Sequence, residues 1–187
     1  MNISLNWLSA MLGRPLDPKQ TSDLLGKLGA PVEAVEPLHQ DLGDVIVAQV
    51  EKVEKHPNAD RLSLCQVNDG KSVLEVVCGA PNVTAGKKYP YAPVGSTLPG
   101  GLKLEQRKIR GVVSNGMLCS PDELGLGDDH SGILELNTTA APGTRFLEVM
   151  PVADYRLVIE VTANRPDLLG HKGVAREVAT ADGAVVR

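Results

Sequence analysis

The sequence predicts an α+β chain organised around a small five-stranded β-barrel. Three observations predict it. Between about Asp44 and Ser120, short β-rich runs are separated by turn residues at roughly the 8–12-residue spacing that favours a small barrel over strand–helix–strand units. The flanks, 1–43 and 121–187, carry helical periodicity with isolated strands. Basic residues gather late in the central stretch although the whole chain is acidic.

In order, Ile3, Leu5, Trp7, Leu8, Met11 and Leu12 include the i, i+3, i+4 spacing of a helical face, with Ser4 as cap and Gly13 as stop. Asp17 and Pro18 open a second helix with Leu24, Leu25 and Leu28 on its apolar face and Gly29 after it. PVEAVEP (31–37) reads as a short strand. Val45, Ile46, Val47 and Val50 form the first barrel strand, and HPNAD (56–60) a turn. Leu62, Leu64, Gln66 and Val67 form the second, closed by the Asp-Gly signal of NDGK (68–71). VLEVVCG (73–79) is the third. YPYAPVG (89–95) is the fourth, and its two prolines predict an edge or irregular strand. KLEQRKIRGVVSNGMLCS (103–120) supplies a last ribbon broken at Gly111 and Gly116. Beyond it, PDELGLG reads as a helical turn, GILELN (132–137) as a strand and YRLVIEVTANRPD (155–167) as a strand running into a loop. HKGVAREVATADG (171–183) reads as a helix with Val174, Val178 and Ala181 on one face. Five strands closed on themselves make a barrel of the oligonucleotide-binding (OB) type, a shape suited to holding RNA. Each flank alone is too short to bury a core. The strand near Val32–Glu36 is therefore expected to pair with the one near Arg156–Val161.

The N-terminus lacks the basic region of a signal peptide, and no apolar run is long enough to span a bilayer. Three cysteines make no disulfide framework. A cytoplasmic location is the expectation. The net charge of −4 excludes a general basic nucleic-acid coat, but it is unevenly spread. Residues 44–120 carry 10 Lys/Arg against 7 Asp/Glu, whereas both flanks are net acidic, so any RNA contact is expected in the centre.

No P-loop, G-x-G-x-x-G or G-x-S-x-G is present, and no C-x₂-C or H-x₃-H pair, so neither catalytic nor metal-ligating residues are assigned. Cys65 and Cys78 lie in apolar runs, where a free cysteine acts as a small core hydrophobe. His56, before Pro57, has a structural role or touches RNA at the surface. The run GDDH (127–130) is a cation site or, more commonly, a solvated loop. The basic set is more telling. Lys87, Lys88, Lys103, Arg107, Lys108 and Arg110 fall in one window that holds a single acid, Glu105. If the last strands lie side by side these charges share a face and neutralise phosphates; the alternative is a merely solvated strand. With only Tyr89 and Tyr91 in the barrel, stacking platforms are few, and RNA would be read by backbone and shape.

HPNADRL, VCGAPN and RGVVSNGMLCS together resemble the tRNA-binding barrel domain shared by several aminoacyl-tRNA synthetases and their cofactors. ISLNWL, ELGL (123–126), SGILEL (131–136) and TANRPDLLGHKGVARE (162–177) narrow the resemblance to the N-terminal region of bacterial phenylalanyl-tRNA synthetase β subunits. The resemblance implies an OB-type barrel, residues 41–151, inserted into a small discontinuous α+β domain made of residues 1–40 and 152–187. It implies tRNA contacts at Lys103, Arg107, Lys108, Arg110, Ser114 and Met117 and at Asn82 in the VCGAPN loop. Residue type alone places Met117 in a core. Those family contacts, with Lys87 and Lys88 from the basic window, form the candidate RNA-binding set. The resemblance further implies a fragment of a longer subunit that works with a catalytic α subunit as α₂β₂. The adenylating, editing and anticodon-binding modules would lie elsewhere, and no cofactor is expected in this fragment. ATP and magnesium belong to the complete enzyme, and neither DNA nor a membrane is an expected partner. The expected function is an auxiliary tRNA-binding and structural module, the alternatives being a purely structural arm or a free-standing dimeric tRNA-binding chaperone.

Overall fold

Ser4 is where the first strand becomes the first helix. The structure, a computed structural model, describes residues 1–186; Arg187, the last residue of the predicted C-terminal flank, lies outside the described residues. In chain order, β1 (Asn2–Ser4) runs into α1 (Leu5–Leu12), followed by α2 (Pro18–Lys27) and β2 (Val32–Leu38). Then come β3 (Ile46–Lys55), β4 (Ser63–Asn68), β5 (Val73–Cys78), β6 (Lys88–Ala92), β7 (Thr97–Leu98) and β8 (Leu102–Lys103). β9 (Arg107–Ile109), β10 (Val112–Ser114), β11 (Met117–Leu118), α3 (Phe146–Val149), β12 (Asp154–Ile159) and α4 (His171–Asp182) complete the order. The chain divides into two compact units, Met1–Gln40 with Ala153–Arg187, and Asp41–Val152.

In the first unit the Ser4 hydroxyl accepts from the Trp7 N–H at 3.0 Å and caps α1, and Gly13 ends it at φ 68. Asp17 caps α2 by accepting from the Gln20 N–H at 2.8 Å, with Pro18 in the first turn. β12 lies between β1 and β2, antiparallel to both, with Arg156 opposite Glu36. The expected pairing of the two flanking strands is found, and the Arg156 Nε–H donates to Glu36 at 2.6 Å. Ile3, Leu5, Leu8, Leu12, Leu25, Leu157, Ile159, Leu168, Val174 and Val178 form the core. Two details differ from the sequence reading. Ile3 belongs to a strand rather than to a helical face, because β1 pairs with β12 before Ser4 turns the chain. Ala181 of α4 is exposed, and Ala175 and Ala179 are the buried partners of Val174 and Val178.

The second unit holds a five-stranded antiparallel sheet in the order β11-β6-β3-β4-β5. β3 serves two neighbours, pairing with β6 through Ile46–Gln49 and with β4 through Gln49–Lys55. The register slips between Val50 and Lys52, a bulge that bends the strand so the sheet curls. The sheet nearly closes: just before β11, the Asn115 N–H donates to the Glu75 carbonyl of β5 at 3.0 Å, and the Val77 N–H of β5 donates to Ser114 Oγ at 3.0 Å. Two apolar clusters fill the unit. One includes Leu42, Val47, Leu98, Leu124 and Phe146, the other Val50, Val67, Val76, Tyr89 and Tyr91.

Three expectations are corrected here. β6 is an inner strand despite Pro90. Val47, opposite Pro90, sends its N–H to Thr144 and accepts from Gly143, so that position needs no proline donor. On the other side the Cys119 carbonyl, which a residue with an N–H would have engaged, accepts from Leu134 at 2.9 Å. GILELN forms no ladder. Its N–H groups go one at a time to Asn82 Oδ1, Cys119 O and Lys88 O, while Ile133 and Leu136 are buried. The last ribbon breaks at Gly111 and Gly116 as expected, but also at Leu104–Gln106, so that Lys103 pairs back to β7, β9 pairs with β10, and β11 joins the main sheet beside β6.

Candidate nucleic-acid interface

The β9–β10 hairpin turns at Arg110 and Gly111, with φ values of 48 and 98. Two successive positive φ values make the tight turn whose twist matches a hairpin, and arginine is an unusual residue in its first position. Outside contacts hold that turn. Asn58 Nδ2–H donates to the Arg110 carbonyl at 3.1 Å. His56 Nδ1 accepts from the Asn58 N–H at 3.1 Å, which leaves Nε2 as the protonated nitrogen, donating to the Ile109 carbonyl at 3.2 Å. His56 is 3% exposed, so its role is structural. At the hairpin base, Gln106 Nε2–H donates to Asn115 Oδ1 at 2.6 Å, and Asn115 Nδ2–H to the Glu75 carbonyl at 3.1 Å.

Of the six basic residues, four lie on this ribbon system: Lys103 on β8, Arg107 and Lys108 on β9, and Arg110 at the turn. All four are exposed. Among the described residues no ion pair or side-chain hydrogen bond engages their charged groups. Strand alternation puts Arg107 and Ile109 on one side of the hairpin and Lys108 on the other. The other two lysines are placed differently. Lys88 opens β6 opposite Gln49, whereas Ala92, at the far end, pairs with Met117 beyond the hairpin. Lys88 thus lies about 13 Å of strand from the β6 end that pairs with β11. Lys88 Nζ–H donates to the Thr138 and Ala140 carbonyls at 3.3 and 2.6 Å. Lys87 pairs with Glu135, which holds the Lys87 pKa above its ordinary value.

The remaining candidates mostly spend their polar atoms inside the fold. Asn82 donates to the Ile133 carbonyl at 2.8 Å and accepts from its N–H at 3.0 Å. Ser114 is 4% exposed; its hydroxyl accepts from Val77 and donates to the Gly116 carbonyl at 3.2 Å. Met117 is half-buried. Both tyrosines are buried, Tyr89 bonded to Asn82 O and Tyr91 to Asn115 O, so neither offers a face for stacking. Burial and the nearby Asp69 carboxylate push the Tyr91 pKa up to about 12. Of the two roles that the sequence leaves open to His56, the structural one is found; what sequence reading missed is its target and the help of Asn58, since no local signal identifies carbonyls they reach some fifty positions later. It also missed Glu135 as the Lys87 partner. Cys65, Cys78 and Cys119 are buried and unbonded to one another by disulfide. Among the described residues no three His, Cys, Asp or Glu side chains assemble as a metal group, and no helix is long and apolar enough to cross a membrane.

The family model "Putative tRNA binding domain" matches residues 45–145, over half of the chain. The chain belongs to this tRNA-binding domain family. Beyond the tRNA-binding domain itself, similarity extends over both flanks. A Salinibacter ruber protein named phenylalanine–tRNA ligase beta subunit is 46% identical across 96% of this chain and 24% of its own length. A Geobacter metallireducens protein of the same name is 44% identical across 100% of this chain and 23% of its own. The chain thus spans about a quarter of the length of these relatives. Among solved structures, a MetRS-related protein from Pyrococcus horikoshii aligns with a TM-score of 0.40 at 23% identity, over 54% of this chain and 86% of that one.

Proposed function

We propose that this chain is the auxiliary tRNA-binding and structural module of a phenylalanine–tRNA ligase β subunit. It holds the tRNA backbone through Lys103, Arg107, Lys108 and Arg110. The observation that carries this reading is that these four cations stand exposed and unpaired on ribbons pinned to the tRNA-binding domain. An acidic chain that leaves four cations without acid partners on one ribbon system offers a local site for phosphates. Asn82, Lys87, Lys88 and Ser114 act mainly as scaffold on this reading, because their polar groups are already engaged. The curled five-stranded sheet serves as an OB-type barrel.

The remaining partners follow from the likeness to β subunits: a catalytic α subunit, the rest of the β chain, an α₂β₂ assembly and a cytoplasmic setting. ATP and magnesium belong to that complete enzyme. The residues here do not fit them, since the sequence has no phosphate-cradling glycine loop and the described residues assemble no metal group. The chain alone neither adenylates phenylalanine nor hydrolyses mischarged tRNA.

A salt titration of labelled tRNA binding tests the reading. With three or four phosphates neutralised, log K falls with log salt at a slope of about −2 to −4. The Arg107→Glu/Lys108→Glu pair weakens binding of all tRNAs alike and flattens that slope. Identical affinities and slopes for the two proteins would leave the face merely solvated and the module a structural arm.

A further inference from the structure

Beside the cations lies an apolar cleft of about 180 Å³, between β8 and the β9–β10 hairpin. Val77, Leu102, Leu104, Ile109 and Met117 supply its apolar walls. Leu102 is 44% exposed, a large apolar side chain left facing water on a two-residue strand. The one hydroxyl in the lining, Ser114 Oγ, is already satisfied by Val77 and Gly116. That hydroxyl therefore loses no hydrogen bond when water is displaced from the cleft. The charged lining residues are Glu105 and Arg107, both exposed.

We infer that this cleft receives one unpaired nucleobase of the bound RNA, with Arg107 engaging the adjoining phosphate. The inference rests on the RNA-binding reading above and adds a subsite to it. Charge selects the occupant: Arg107 lines the cleft, and Lys103, Lys108 and Arg110 stand on the same ribbons, so an anion-linked group is drawn there rather than a neutral apolar peptide. Size agrees. The cleft is smaller than the roughly 300–1,000 Å³ typical of small-molecule sites and suits a single flat ring system. Glu105 provides an acceptor for an exocyclic amine of the base. Rigidity agrees too. The hairpin wall is tied at its tip by His56 and Asn58 and at its base by Gln106 and Asn115, so the cleft needs no ordering before it binds. Aliphatic walls replace the aromatic platforms that the buried tyrosines cannot provide. The cleft takes one base, so the preference is for an unpaired nucleotide rather than for a sequence.

The test uses the whole chain and two labelled RNAs at fixed low salt, a plain duplex and the same duplex with one bulged nucleotide. The wild type should bind the bulged RNA roughly fivefold more tightly, comparable with the low end of what one base stacked on an aromatic ring contributes. Leu102→Asn changes no charge and alters a side chain already partly in water. It should abolish the preference while leaving plain-duplex affinity unchanged. Methyl NMR signals of Leu104 and Ile109 should shift with the bulged RNA and stay in place with the plain one. Equal affinity of the wild type for both RNAs would overturn the base subsite and leave the backbone-binding reading intact. Absence of binding to either RNA and to tRNA would overturn both.

Discussion

His56 Nε2–H donates to the carbonyl of Ile109, 53 residues further along the chain. The bond joins the turn after β3 to the tip of the basic hairpin. With Asn58 holding the next carbonyl, it fixes where Lys108 and Arg110 stand. His56→Ala leaves the Ile109 carbonyl and the Asn58 N–H, at part-buried hydrogen bonds, without their partner. The expected loss is about 1–3 kcal/mol of stability in urea unfolding. Hydrogen exchange at β9 and β10 should rise more than at β4. Unchanged exchange in the hairpin would mean that the turn holds itself.

Gly116 provides a sharper stability test. Its φ is 99, and a Cβ there would sit 2.6 Å from the Ala92 carbonyl oxygen and 2.6 Å from Tyr91 Oη. One of those neighbours is backbone of β6 and cannot swing away. Gly116→Ala should therefore cost roughly 2–4 kcal/mol. Gly100, at φ 79 with nothing within 4 Å of its missing Cβ, is the control. Gly100→Ala should cost about 1 kcal/mol, from backbone conformation alone. Equal losses in chemical denaturation would remove the steric argument.

Lys88 and the hairpin cations should separate by experiment. Lys88→Met keeps the aliphatic stem and removes the ammonium that two loop carbonyls share. Stability should fall by about 1–3 kcal/mol while the salt slope of tRNA binding stays as in the wild type. Arg107→Glu/Lys108→Glu should do the reverse, because those side chains make no internal bond. A Lys88→Met protein with a flattened slope would restore that lysine to the contact surface.

What sequence could reveal here divides by range. Caps, stops and hairpin turns are local chemistry, and Ser4, Gly13, Asp17 and the Asn68–Lys71 turn were readable from neighbouring residues. The pairing of β2 with β12 was readable from a size argument, since neither flank buries a core alone. Failures came where a distant partner decided the outcome. Pro90 reads as an edge signal only until Gly143, Thr144 and Leu134 take over the bonds its strand position leaves open. The 132–137 run alternates like a strand, yet Asn82, Cys119 and Lys88 each claim one of its N–H groups. In the candidate interface the basic window was legible as composition. Its division into four free cations and two engaged lysines depends on Glu135, Thr138 and Ala140, which no spacing rule connects to it.

The first unit should respond to mild acid through His171. The Ser4 N–H donates to His171 Nε2 at 2.9 Å, so that nitrogen must carry a lone pair in the folded protein. The ring also lies against Trp7, with centroids 4.2 Å apart. Burial holds the His171 pKa below its ordinary value, against the opposing pull of the Asp154 carboxylate. A lowered folded pKa means the unfolded chain takes up the proton first as pH falls. Stability is therefore whole above the usual histidine value of about 6.5 and declines as pH drops through it toward the folded value. His171→Gln keeps an acceptor for Ser4 but cannot titrate. Urea unfolding at about pH 7.5 and about pH 5.5, on either side of the ordinary histidine range, reads the difference. The wild type should lose more stability between those conditions than His171→Gln, and the transition followed by Trp7 fluorescence should show it. An equal loss in both proteins would place the acid-sensitive group somewhere other than His171.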